Sequence, residues 1–153
     1  MVKEGKKSKA TRKAKTKSKI AKKKSYIYAL GRRKTAVARI RLFSGKGETV
    51  VNEQPIGQYF SGEVAKTIYE KPFTVTKTLG KYYATIKVEG SGKNGQLVAV
   101  THGLARALDK ENRELYHSAL KQDKLLTRDA RAKERRKPGQ MGKARKQKQS
   151  PKR

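Results

Sequence analysis

The chain has no cysteine and no tryptophan among its 153 residues, and only four prolines. Without cysteine there can be no disulfide, and no zinc or iron–sulfur site held by thiolates. His102 and His117 are the only histidines. No carboxylate stands at a regular ligand spacing from either, so no metal and no cofactor is expected. Long apolar runs are also missing. No stretch approaches the roughly 18 apolar residues of a membrane-spanning helix, and no apolar segment of the secretory kind follows the N-terminus. Carboxylates are few and scattered, most with a basic residue within four positions. With no nucleophile elbow and no zinc-protease signature either, no enzyme is expected. The scarcity of acids is extreme: 12 stand against 41 Lys and Arg, for a net charge of +29.

Such a charge calls for a polyanionic partner: nucleic acid, an anionic membrane surface or an acidic protein. It is not evenly spread. Residues 1–25 hold 12 basic residues and one acid; residues 26–126 hold 17 and nine; residues 127–153 hold 12 and two. Nearly all aromatics and aliphatics fall in the middle part, so only residues 26–126 can bury a core. The chain therefore reads as a globular body with two cationic arms, disordered or ordered by a partner.

Within the body, residues 34–43 (KTAVARIRLF) alternate. Ala36, Ala38, Ile40 and Leu42 would face inward, and Val37, Arg39, Arg41 and Phe43 outward, which makes a half-buried strand with two arginines on its open face. Gly45 and Gly47 are expected to turn the chain into a second strand over residues 48–52, forming a hairpin. Pro55 suits the start of a short helix over 55–60. Ser61 is placed to cap a helix over 62–70 that Pro72 stops, with a short strand over 73–76. Residues 82–89 (YYATIKVE) alternate again, with Ala84, Ile86 and Val88 inward. Residues 96–108 set Leu97, Val100, Leu104 and Leu108 on one helical stripe. Asn112 then caps a last helix whose apolar side is Leu115, Ala119 and Leu120. The order of elements reads as α+β in two layers, with a core built on Ala36, Ile40, Leu42, Ile86, Val88, Leu97, Val100 and Leu104.

Residues 90–95 (GSGKNG) satisfy GxGxxG, after an expected strand and before an expected helix. A dinucleotide site also needs a second parallel strand ending at an acid, and here Asp109 and Glu111 fall between two helices. Two readings remain: a flexible turn closing onto the helix, or a turn whose free N–H groups, with Lys93, hold an RNA phosphate. Gly31-Arg32-Arg33-Lys34-Thr35 lacks the spacing that wraps a nucleotide and reads as a basic turn. His102 lies beside the apolar stripe, as a structural histidine would.

The two arms differ. The N-terminal arm is nearly all lysine, with Arg12 its one arginine. Lysine supplies charge without geometry. In the C-terminal arm, Arg128, Arg131 and Arg135 would share one face of a helix capped by Thr127 and ended by Pro138-Gly139. Arginine forks suit bidentate phosphate binding and stacking on bases.

Taken in order, GRRKTAVARIRL (31–42), VNEQPIGQYF (51–60), GSGKNGQLVAVTHGLARAL (90–108) and LLTRDARAKERRKPGQMGKARK (125–146) resemble the family of bacterial small-subunit ribosomal protein nine. The resemblance runs from about Tyr26 to the last residue. It implies a two-layer α/β sandwich of the ribosomal-protein S-five domain-two type, in the head of the small subunit. It also implies a C-terminal tail threading through ribosomal RNA to the anticodon stem-loop of transfer RNA in the peptidyl site. On this reading Arg32, Arg33, Lys34, Arg39, Arg41, Lys93, Arg128, Arg131, Arg135, Arg136, Lys143, Arg145 and Lys146 bind ribosomal RNA, while Lys152 and Arg153 reach transfer RNA. Neighbouring head proteins are further partners, a membrane is not, and the setting is a cytoplasmic ribosome rather than an organellar one.

The sequence departs from the family in three places. Pro151 interrupts the usual Ser-Lys-Arg ending. Ser91 replaces a usual glycine, and Thr101 stands where a basic residue is common, so one RNA contact is expected to be missing. The Lys-rich residues 1–25 lie beyond the usual start. The rival readings are a DNA-compacting protein with basic tails, which explains the charge but not the ordered blocks, and an RNA-modifying or nucleotide-dependent enzyme using the glycine turn.

Overall fold

The computed structural model describes residues 25–146. A five-stranded sheet carries four helices, mainly against one of its faces, in an α+β arrangement. Strand β1 (Ile27–Arg33) pairs antiparallel with β2 (Ala36–Ser44), and β2 pairs antiparallel with β5 (Tyr82–Glu89). On the far side of β5 lie β3 (Val50–Val51), parallel to it, and β4 (Gln54–Pro55), antiparallel to β3. The helices are α1 (Ile56–Tyr59), α2 (Glu63–Val75), α3 (Lys93–Glu111) and α4 (Arg113–Gln122).

Alternation in β2 and β5 fixes the inner face. Ala38 faces Val88, Ile40 faces Ile86 and Leu42 faces Ala84, and all six are buried. Against them lies the α3 stripe of Leu97, Val100, Leu104 and Leu108, also buried. Burying an aliphatic side chain is worth about 1.5–3 kcal/mol, so this double row supplies much of the drive to fold. The helix presses closest at Gly31 and Gly103. A Cβ on Gly31 would lie 1.8 Å from the Ala99 carbonyl oxygen, and one on Gly103 would lie 2.5 Å from Ile40 Cδ1. Glycine at both positions is what lets β1 and α3 meet.

Several local expectations are corrected. The hairpin joins β1 to β2 through Lys34 and Thr35, with Lys34 at φ +50°. The turn at Gly45 and Gly47 instead carries the chain across β5, because β1 and β5 already fill both edges of β2. β1 carried no clear alternation signal, since its inward residues include Ala29 and Gly31. The strand expected over 48–52 shrinks to β3, and the helix expected from Pro55 begins one residue later, after β4. Gly62, at φ +102°, takes the N-cap of α2, and Ser61 does not cap it. Pro72 sits inside α2 rather than ending it, and residues 73–75 are helix where a strand was expected. α3 begins at Lys93 and reaches Glu111. Asn112 does cap α4, its Oδ1 accepting from the Leu115 N–H at 3.2 Å. Leu115, however, is exposed, and Tyr116 packs on the core in its place.

No helix forms over residues 127–137. The expected helix would stack Arg128, Arg131 and Arg135 on one face, where like charges repel, and it would have no apolar stripe to bury. Asp129 also competes for the backbone, its Oδ1 accepting the Arg131 N–H at 3.0 Å.

Candidate nucleic-acid interface

The outer face of β1, β2 and β5 is open, and the register builds its rows. Arg41 stands between Tyr28 and Thr85, Arg39 between Leu30 and Lys87, and Val37 between Arg32 and Glu89. Arg39, Arg41 and Lys87 are exposed side by side on adjacent strands. Glu89 tempers one end, 3.9 Å from Arg39 Nη1 and 3.5 Å from Lys87 Nζ. Exposed pairs at such distances are weak, so the face stays cationic. Lys87 was missed in the sequence because it stands alone among residues 82–89. Only pairing with β2 puts it beside Arg39.

A second cationic region surrounds the root of the tail. Arg33 Nη2 lies 3.0 Å from Asp129 Oδ2, and its Nη1 donates to the Arg131 carbonyl. Arg131 also folds onto Asp129, 2.8 Å from Oδ2. Hydrogen bonds from Arg131, with the charges of Arg131 and Arg33, hold the Asp129 carboxyl well below the ordinary carboxylate range. Further along, Arg145 clasps both oxygens of Glu134, at 3.0 and 2.6 Å. The Lys137 N–H donates to the Lys143 carbonyl at 3.2 Å, so residues 134–145 close into a loop. Arg32 lines the open-face groove and the cleft at the tail root alike, and so joins the two regions.

The expected contact residues therefore fall into three states. Arg32, Lys34, Arg39 and Arg41 are exposed on the sheet and its hairpin turn; Arg128, Arg135, Arg136, Lys143 and Lys146 are exposed along the tail. Arg33, Arg131 and Arg145 are held by carboxylates of this chain. Lys93 is engaged too: its Nζ lies 3.2 Å from the centroid of the Tyr59 ring and donates to the Tyr59 carbonyl at 3.4 Å. Lys152 and Arg153 lie outside the described residues, as does nearly all of the N-terminal extension.

The glycine turn is accounted for by packing. Gly90 has φ +79°, and a Cβ there would lie 2.4 Å from the Thr35 carbonyl oxygen. Gln96 Nε2 donates to the Gly90 carbonyl at 3.1 Å. Ser91 has φ +55°. His102 Nδ1 accepts from the Arg32 N–H at 3.4 Å, and burial followed by the Arg106 charge lowers its pKa. His117 Nδ1 pairs with Asp109 Oδ1 at 2.8 Å, tying α4 to α3. Thr101 is buried, and its hydroxyl bonds to carbonyls of the fold itself, those of Ile68 and Leu97. Arg106 and Lys110 were not singled out in the sequence. They cap the free edge of β1, donating to the carbonyls of Leu30 at 2.7 Å and Tyr28 at 2.9 Å.

A family model described as Ribosomal protein S9/S16 matches residues 31–153. Among similar proteins, the small ribosomal subunit protein uS9 of Dehalococcoides mccartyi strain CBDB1 is 47% identical over 120 residues, covering 78% of this chain and 90% of that protein. The uS9 protein of Maridesulfovibrio salexigens is 49% identical over 119 residues, covering 78% and 91%. That of Rickettsia canadensis is 48% identical over 130 residues, covering 84% and 79%.

Proposed function

This chain belongs to the ribosomal protein S9/S16 family, and on that premise we propose that it binds small-subunit ribosomal RNA through its open sheet face and its C-terminal tail. As a member it is a structural, non-enzymatic component of the small ribosomal subunit, serving translation on the cytoplasmic ribosome.

The finer reading rests on one observation above all. Arg39, Arg41 and Lys87 share one exposed sheet face, and Arg32 links that face to a tail fastened by Arg33 and Asp129. Phosphate is the ligand such a surface suits, because guanidinium forks match its oxygens and release of counterions favours binding. Residues 26–126 form the RNA-binding body and residues 127–153 the threading arm. Arg32, Lys34, Arg39, Arg41, Arg128, Arg135, Arg136, Lys143 and Lys146 meet phosphates directly. Arg33, Arg131 and Arg145 first hold the tail in shape and then share their forks with RNA. Lys93 serves the turn through Tyr59 and offers phosphate only its outer side. The body sits in the head of the subunit beside other head proteins, and Lys152 and Arg153 reach the anticodon stem-loop of peptidyl-site transfer RNA.

Sedimentation of tagged protein from lysate tests this reading. Co-migration with small subunits and whole ribosomes, surviving DNase but not RNase, is expected. Migration with chromosomal DNA would instead favour a DNA-compacting role.

A further inference from the structure

The rings on the open face are of two kinds. Phe43 stacks on Tyr83, centroids 5.1 Å apart and planes 14° from parallel, and Tyr26 leans on Phe43 at 5.8 Å. Gly47 lies against Tyr83, where a Cβ would come within 2.7 Å of the ring, and the Arg41 guanidinium sits 5.3 Å from the Tyr26 centroid. These rings already have partners, although Tyr26 stays 49% exposed.

Tyr28 is different. It points from β1 to the same side, is 44% exposed, and among the described residues its ring pairs with no aromatic and no cation. It borders both shallow grooves of the face, with Arg39 and Arg41 beside one and Arg32 and Arg39 beside the other. Its backbone is fixed, because Lys110 and Arg106 anchor the carbonyls of Tyr28 and Leu30. An unpaired ring on an anchored strand thus stands among cationic side chains.

We propose that Tyr28 is a stacking platform for an unpaired RNA base, whose flanking phosphates lie on Arg39, Arg41 and Lys87. This rests on the RNA-binding reading and names the class of RNA: a single-stranded loop or bulge. Bases inside a duplex have both faces covered, so an exposed ring can stack only on one that is splayed out. RNA matches both features at once, bringing phosphates for the cations and a base face for the ring.

The test is zero-length ultraviolet cross-linking in purified small subunits carrying the full-length chain, with adducts located by mass spectrometry. A nucleotide adduct is expected on Tyr28, retained in Tyr28→Phe. In Tyr28→Ala the adduct is lost, and the contacted base gains reactivity toward base-specific probes. If other residues of the chain cross-link to ribosomal RNA and neither Tyr28 nor its Phe replacement does, the platform is refuted while RNA binding stands. A Tyr28 adduct to protein refutes it equally. No RNA adduct anywhere on the chain overturns the RNA-binding reading itself. Should Tyr28→Ala fail to assemble, the comparison of the natural chain with Tyr28→Phe still decides.

Discussion

The Thr101 hydroxyl lies 3.3 Å from the Ile68 carbonyl oxygen, the one oxygen of α2 that Pro72 leaves without an intrahelical donor. A proline at position 72 has no N–H to return to residue 68, and a neighbouring helix supplies the proton instead. The same hydroxyl also lies 3.0 Å from the Leu97 carbonyl of its own helix, so its proton is shared.

Thr101→Val keeps the volume and removes the donor, leaving the Ile68 carbonyl unsatisfied. Urea unfolding of the full-length chain is expected to show a loss of about 1–3 kcal/mol, towards the lower end for a partly buried group. Pro72→Ala restores the backbone donor, so the same substitution should cost less in the Pro72→Ala background. An equal cost in both backgrounds would break the link between the two residues.

His102 provides a pH signature. Its pKa in the folded protein is lowered, chiefly by burial and then by the Arg106 charge. The unfolded chain therefore binds the proton more readily. Stability is full above the ordinary histidine value and falls as pH drops through it towards the folded value. Between pH 7.5 and 5.5 the urea midpoint should fall more for the natural chain than for His102→Asn. Parallel falls would assign the acid sensitivity to another group.

Asp129 has the same sign in a more acidic window. Its depressed pKa means that its ion pairs are complete above the ordinary carboxylate value and are lost as pH falls through the lower folded value. Asp129→Asn removes them at neutral pH. Trypsin should then cut after Arg128 and Arg131 severalfold faster, with the helices of the body still protected. Unchanged cutting would mean that Arg33 does not fasten the tail.

The open face should show in salt dependence. Arg39→Ala combined with Arg41→Ala is expected to flatten the slope of log affinity against log salt for a ribosomal RNA duplex. The slope should change by about 0.9 for each phosphate that is no longer neutralised. A parallel shift with an unchanged slope would mean these arginines do not meet phosphates.

Removing residues 151–153 should leave subunit assembly intact and weaken transfer RNA at the peptidyl site, each charge-assisted bond to phosphate being worth roughly 1.5–3 kcal/mol. Sedimentation and filter binding report the two effects separately. Loss of the whole protein from subunits would refute that division of labour.

What could be read from the chain alone was local. The alternation of residues 36–42 and 84–88, the α3 stripe and the Asn112 cap follow from backbone geometry within a few residues, and each is found in the fold. The charge division and the ordered blocks that mark the family are likewise properties of the string. Tertiary structure decided the rest, because it depends on pairs far apart in sequence. Residue 37 alone does not say that β2 lies beside β5, so Lys87 could not be joined to Arg39, nor Arg33 to Asp129. Tyr26 and Tyr28 look equivalent in sequence, both flanking Ile27. Only the packed sheet sets the first ring against Phe43 and Arg41 and leaves the second without a ring or cation partner, although both stay exposed.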